Sequence, residues 1–354
     1  MLGDDKMSEI AQLDAKDVQV CKKCILPTTF KDIVFDNNGL CSYCSNNATV
    51  AKNREISQEY KNKCAQEIDI LIESFRGKQQ YDCAVGFSGG KDSSYLLWLL
   101  KEKYKLNVLA ITIDHGFLPE ITVNNIRYVP NKLGIDVVNY KLNSGFMERF
   151  FKYKFENYTT KAIFDSMCGD CSNILEGSVM KVAASFNIPL VFIGLSPDQV
   201  NRYFYEVPNE HLNANWVNEE YCNGKYFEQR DKQYIWTAKK ESEKNLKVIF
   251  PFHVWNYNEE TVTNKLDELG LVPKLESNPL KTRCKIMDAM CYVDKSRVGY
   301  DGFIAPFSDL IRFGKAPRKK YYDLFFGKDF ELNMGHVKEV FERLDLDAEK
   351  IVNK

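Results

Sequence analysis

The 354-residue chain lacks most of the marks of membrane, secreted and nucleic-acid-coating proteins. No stretch reaches the roughly 18 consecutive apolar residues that would cross a bilayer. The opening Met1-Leu2-Gly3-Asp4-Asp5-Lys6 has no apolar signal-peptide core. A cytoplasmic protein with no membrane partner is therefore expected. Charge of one sign is also missing: 48 Lys and Arg face 49 Asp and Glu, for a formal net charge of −1. Proteins that grip nucleic acid neutralise many phosphates and usually carry a basic excess. The balance argues against nucleic acid and for a small-molecule substrate. Histidine is scarce, with only His115, His211, His253 and His336. No internal repeat or low-complexity tract breaks the chain.

The most informative stretch is Ser88-Gly89-Gly90-Lys91-Asp92-Ser93. It follows the apolar run Cys83-Ala84-Val85-Gly86-Phe87 and leads into Ser94-Tyr95-Leu96-Leu97-Trp98-Leu99-Leu100. That order predicts a buried strand, a tight Gly-rich turn and a helix. Gly89 and Gly90 allow backbone conformations and approaches that a Cβ would block. A helix N-terminus adds unsatisfied N–H donors and partial positive charge, so the turn suits phosphate oxygens. Lys91 adds a mobile full charge, while Ser88 and Ser93 add hydroxyls. The spacing is not that of a Walker loop. It resembles the pyrophosphate-binding loop of the PP-loop ATPases, which implies ATP as the energy source and release of AMP and pyrophosphate.

Cysteine, by contrast, is plentiful, with 11 residues. Cys21-x-x-Cys24 and Cys41-x-x-Cys44, sixteen residues apart, match the spacing of a structural Zn²⁺ site. Four thiolates fill a tetrahedral shell and leave no open position, so a structural zinc ribbon is expected over residues 18–48. A third pair, in Met167-Cys168-Gly169-Asp170-Cys171, is expected at the start of a helix running from Cys171 to Asn187. With Cys284 as a third ligand it would suit a [4Fe–4S] cluster. Cys222 and Cys291 are weaker candidates. A substrate-site role without metal, anion binding at the helix N-terminus, and plain packing are the competing readings.

Strands at Val108–Asp114, Val137–Tyr140 and Leu190–Gly194 alternate with helical segments, one of them Val123–Leu133 carrying Pro130. This predicts an α/β fold with a doubly wound parallel sheet. Ligands in such sheets bind beyond the carboxyl ends of strands. The turns at 88–93, at Asp114-His115-Gly116 and at Gly194-Leu195-Ser196-Pro197-Asp198-Gln199 should then open on one cleft, with the third cysteine pair facing it. Asp114 is read equally as an adenosine contact and as a turn cap, and His115 as a turn residue rather than a base. The expected organisation is the zinc ribbon, a connecting helix over 49–78, a nucleotide domain over 79–200, and a mainly helical region over 201–354. That last region, aromatic-rich and expected to be irregular or helical from 201 to 245, would supply substrate walls and contacts for a homodimer.

Taken together, Cys21-x-x-Cys24-Ile25-Leu26-Pro27-Thr28-Thr29, Phe35-Asp36-Asn37-Asn38-Gly39-Leu40-Cys41-Ser42-Tyr43-Cys44 and the loop motif resemble the N-acetyl sugar amidotransferases of bacterial surface-polysaccharide biosynthesis. Met167–Cys171 and Phe192-Ile193-Gly194-Leu195-Ser196-Pro197-Asp198 extend the resemblance, which covers roughly residues 20–310. It implies ATP-dependent conversion of an acetamido group on a sugar or nonulosonic-acid precursor into an acetamidino group. It also implies ammonia from a separate glutaminase–synthase pair. That fits a chain whose residue 2 is Leu rather than a nucleophilic Cys, and whose four histidines form no glutaminase constellation. On this reading Lys91, Asp92 and Asp198 are the candidate catalytic residues. Ser88, Gly89, Gly90, Lys91, Asp92, Ser93, Asp114 and Gly194 are the candidate nucleotide ligands, with Mg²⁺ on the phosphates. The alternative is a PP-loop tRNA thiolase using a cluster on Cys168, Cys171 and Cys284. A non-catalytic zinc-ribbon scaffold is disfavoured by the intact loop.

Overall fold

Four apolar runs and one short one pair into a five-stranded sheet in which every neighbouring pair is parallel. The strands are β1 (Cys83–Gly86), β2 (Val108–Asp114), β3 (Asp136–Lys141), β4 (Leu190–Ile193) and β5 (Lys247–Ile249). The structure, a computed structural model, describes residues 18–46, 57–157, 164–197, 226–234, 245–273, 282–314, 316–327 and 332–353. The chain divides into two compact units. One holds Ile56–Met147 and Cys171–Arg283; the other holds Met1–Glu55, Glu148–Asp170 and Cys284–Lys354.

The sheet lies in the first unit, in the order β3-β2-β1-β4-β5. The chain builds outward from β1 through β2 to β3, then returns to the other side of β1 for β4 and β5. Strand order therefore reverses at β1 and β4, the crevice in which ligands of parallel sheets lie. Central strands must be covered on both faces, which explains their continuous apolar character. Cys83, Ala84 and Val85 are fully buried, and Val85 lies opposite Ala110 on one side and Phe192 on the other. The edge strand β3 is largely exposed.

Helix α1 (Gln58–Phe75) starts at Ser57, whose hydroxyl accepts from Tyr60 N, and buries Ile68 and Ile72 of its apolar stripe. Helix α2 (Lys91–Trp98) follows the loop after β1 and widens into a π-helical turn over Leu99–Lys103. Helix α3 (Glu120–Leu133) carries Pro130 and ends on Gly134 at φ 61°, a left-handed position that glycine accepts without strain. Then come α4 (Ser144–Glu156), α5 (Phe164–Ser185) and α6 (Glu259–Glu268), the last capped by Asn258. The second unit holds α7 (Lys285–Val298), α8 (Ile304–Arg312), α9 (Arg318–Phe326), α10 (Met334–Arg343) and α11 (Ala348–Val352), so the tail from residue 316 is helical as expected.

Three expectations need correction. Helix α5 begins at Phe164 rather than Cys171, so the Cys168-Gly169-Asp170-Cys171 segment lies within helix and the terminal N–H groups belong to the residues before it. Strand β5 lies within the 201–354 region expected to be mainly helical; its three residues are too few to show alternation, and pairing with Leu190–Phe192 supplies its order. Around the four cysteines the expected short strands reduce to single bridges, Val20 with Pro27 and Phe35 with Cys41. Much of the aromatic-rich 201–245 stretch lies outside the described residues.

Candidate active site

The loop from Phe87 to Ser94 is held from every side. Thr112 Oγ1 donates to Phe87 O (2.9 Å), and Asn125 Nδ2 from α3 donates to Gly89 O (3.0 Å). Gly89 sits at φ 76°, and a Cβ there would stand 2.8 Å from Thr122 O, so sterics and backbone both require glycine. The Gly90 carbonyl collects Ser93 Oγ (3.1 Å), Ser94 Oγ (2.8 Å) and Ser94 N (3.0 Å). Ser88 Oγ lies 3.1 Å from Ser93 Oγ. The amides of Lys91, Asp92 and Ser93 precede the first intrahelical bond of α2, so they are the orphan donors that make a helix start an anion site. Gly194 closes the cradle from β4: a Cβ on it would lie 3.0 Å from Ser93 Cα. The structure thus brings Ser88–Ser93 and Gly194 together at the reversal between β1 and β4.

Lys91 is the charged centre of this site and is nine-tenths buried. Its Nζ donates to both Asp92 oxygens (2.8 and 2.9 Å) and to Tyr257 OH (3.1 Å), with Glu259 Oε1 at 3.8 Å. Tyr257 OH in turn donates to Asp92 Oδ1. Both carboxylate oxygens of Asp92 are therefore engaged, which makes Asp92 a brace for the loop. A Mg²⁺ ion on Asp92 would have to replace Lys91 there, with Lys91 moving to phosphate. Tyr257 and Glu259 flank the cap of α6, after β5, and the sequence reading did not single them out. Their signal was the Asn258 cap itself: had β5 been seen, the segment after it would have been placed at the same sheet edge.

Asp114 ends β2; its Oδ1 accepts from Gly116 N (2.7 Å), and Lys141 Nζ lies 3.9 Å from its Oδ2. The turn-cap role is thus realised while one oxygen faces a cation. His115 is buried in the same turn and its Nδ1 accepts from Phe117 N (3.3 Å), which puts the ring proton on Nε2. Asp198 lies outside the described residues.

In the second unit Cys21, Cys24, Cys41 and Cys44 are buried with all four ligand atoms within 4.8 Å of one another. The Cys21–Cys44 and Cys24–Cys41 Sγ separations are both 3.7 Å. A tetrahedral ion with bonds of about 2.3 Å would hold its sulfurs about 3.8 Å apart. The donor set fits one such ion. Leu26 N and Cys41 N point at Cys24 and Cys21 Sγ (3.4 and 3.3 Å), and Arg312 Nη2 approaches Cys24 Sγ at 4.0 Å. Arg318 donates to the Cys24 and Cys21 carbonyls, both at 2.9 Å. Hydrogen bonds to Cys41 and Cys44, with burial, push the Cys24 thiol far up, so four thiolates could be held together here only around a cation.

Cys168 and Cys171 share one face of the first two turns of α5, and Cys284 is the N-cap residue of α7. Cys168 and Cys284 belong to one unit and Cys171 to the other. Cys64 and Cys83 pack in the apolar core, where burial raises the Cys83 thiol, and Cys291 is buried on α7.

With this geometry in place, similarity to known proteins can be weighed. A family model described as a PP-loop domain matches residues 56–143. An uncharacterized protein from Methanocaldococcus jannaschii is 21% identical over 302 residues, spanning 85% of this chain and 90% of its own length. Two solved structures align at low overall similarity. The U34-tRNA thiolase NcsA from Methanococcus maripaludis with its [4Fe–4S] cluster has 16% identity and TM-score 0.38, covering 92% of this chain and 87% of its own. The NH3-dependent NAD synthetase from Campylobacter jejuni in complex with the nitrate ion has 13% identity and TM-score 0.39, covering 83% and 96%. Residues 56–143 of this chain are a PP-loop domain of the ATP pyrophosphatase type, joined to a four-cysteine centre fit for a metal ion.

Proposed function

We propose that the protein is an ATP-dependent amidotransferase that replaces the acetamido oxygen of an N-acetylated sugar precursor with nitrogen, releasing AMP and pyrophosphate. The observation that supports it most is the braced loop at 88–93, set beside the motifs shared with the N-acetyl sugar amidotransferases. An amide carbon is a poor electrophile with a poor leaving group. Attack of its oxygen on the α-phosphorus of ATP turns that oxygen into a phosphate ester and displaces pyrophosphate. The orphan amides of α2 and the Ser88 and Ser93 hydroxyls bind the departing phosphates, and Lys91 offsets the charge that develops there. Asp92 and Glu259, the carboxylates beside Lys91, would hold a Mg²⁺ ion, which would supply further charge neutralisation for the phosphates. Ammonia then displaces AMP. Positioning and charge stabilisation carry the chemistry, so no nucleophilic side chain is required. The four-cysteine centre is assigned a structural Zn²⁺. Ammonia delivered by a glutaminase–synthase pair, a homodimeric assembly and a cytoplasmic location complete the proposal.

The test is incubation of the purified protein with ATP, ammonium and a panel of N-acetylated sugars, read by mass spectrometry. The reading predicts replacement of O by NH in one sugar, with AMP formed in equal amount. AMP formation that depends on tRNA and not on sugar overturns it in favour of tRNA thiolation.

A further inference from the structure

Helix α5 carries a half-buried carboxyl that no step above uses. Glu176 accepts a hydrogen bond from Ser172 Oγ at 2.9 Å, one turn earlier on the same face. Three residues further along that face is Val179, whose methyl carbons lie 3.6 and 3.7 Å from where a Gly86 Cβ would be. Val179 therefore packs over the last residue of β1. The helix leads by a short turn into the start of β4, so it descends antiparallel to the strands. Going back from Val179 to Glu176 climbs about 4.5 Å toward the carboxyl edge of the sheet. That places Glu176 and Ser172 above the end of β1, on the edge where the loop and Gly194 lie.

The polar pair interrupts an otherwise apolar face, whose next members are Val179 and the fully buried Ala183. Among the described residues no cation pairs with this carboxyl, and a carboxyl withdrawn from water is costly and is often found where it has work to do. The residue is half-buried. Of the strands beneath it, β4 brings no titratable group and β1 brings only Cys83, at its far end. Lys91 and Asp92 are committed to each other, Tyr257 and Glu259; Asp114 is paired with Lys141. Lys181 on the same helix donates to the Gln233 carbonyl, and Asp170 is paired with Lys154. Burial raises the Glu176 carboxyl to about 7, against a smaller lowering by the Ser172 hydroxyl. A base at that value is half ionised at neutral pH, where proton transfer is most effective.

We propose that Glu176, oriented by Ser172, is the proton acceptor for the nitrogen nucleophile at this site. This rests on the amidotransferase reading. Ammonia forms a C–N bond to the activated imidate carbon, and its nitrogen becomes a cationic –NH₃⁺. The Glu176 carboxylate takes one of those protons. The freed lone pair forms the C=N bond of the amidinium as the C–O bond breaks, its electrons leaving with AMP. Glu176 then returns the proton to water.

The experiment is a pH profile of ammonia-dependent AMP formation and of sugar-dependent pyrophosphate release for the full-length enzyme, Glu176→Gln and Ser172→Ala. Gln keeps the size and the hydrogen bond, so the fold is retained. The expected result for Glu176→Gln is a loss of about 100-fold or more in AMP formation at neutral pH. The ascending limb near pH 7 should vanish, while pyrophosphate release persists. Ser172→Ala should move that limb to higher pH, because the hydroxyl favours the ionised carboxyl. A Glu176→Gln enzyme that keeps the wild-type limb and rate overturns the assignment alone. A wild type that forms no amidine from any N-acetylated sugar overturns the amidotransferase reading and this assignment with it.

Discussion

At Lys91 the design of the site is visible in one side chain. Its ammonium is held among Asp92, Tyr257 and Glu259, so its position is set by protein groups. Lys91→Ala is expected to abolish pyrophosphate release and to lower the thermal midpoint, because Asp92 loses its cation, checked by a pyrophosphate assay and a melting curve. Gly89→Ala forces a residue with a Cβ into φ 76° and against Thr122 O. The backbone alone costs about 1–2 kcal/mol, and the close contact adds to that, so a lower melting temperature and loss of ATP binding are expected together. Glu176 gives a prediction independent of turnover. Its folded value of about 7 stands above the ordinary 4.5, so its contribution is intact below pH 4.5 and is lost as pH rises through 7. The melting temperature of the wild type should therefore fall relative to Glu176→Gln across that window. A constant difference would contradict the burial of this carboxyl.

Elements built from strong local signals were legible in the sequence. The run from Cys83 through Leu100 contains a buried strand, two glycines and a helix start, and the structure folds it in that order. The connecting helix expected over 49–78 was likewise readable, and α1 occupies it. What escaped depends on pairing between distant segments. Strand β5 has three residues and is ordered by β4, more than fifty positions earlier. Missing it hid the place of Tyr257 and Glu259. The start of α5 was misjudged because cysteine and glycine at 168–171 read as a boundary, whereas the helix simply runs through them. The cysteine centre was legible from spacing, but its anchoring by Arg312 and Arg318, almost three hundred positions away, was not. Removing the ion with a chelator, or Cys41→Ser, should loosen the cluster in which Cys21, Cys24 and Cys41 pack with Tyr300, Ile304 and Phe325. Proteolysis of the segment 18–46 and metal analysis read this, with one ion per chain expected; a chain that holds no metal and resists protease would contradict the structural assignment.

At the scale of the molecule, strand order reverses around β1, where the loop of the PP-loop domain lies, and the proposed function brings a small substrate to that edge. In the proposed reaction the oxygen removed from the substrate is first joined to the α-phosphorus. An acetamido substrate labelled with heavy oxygen tests that directly, because the label must follow the bond that breaks. The account predicts that the label is recovered in the phosphate of AMP, one atom per amidine formed. Label found in water, in inorganic phosphate or retained on the sugar would contradict adenylation of the amide oxygen.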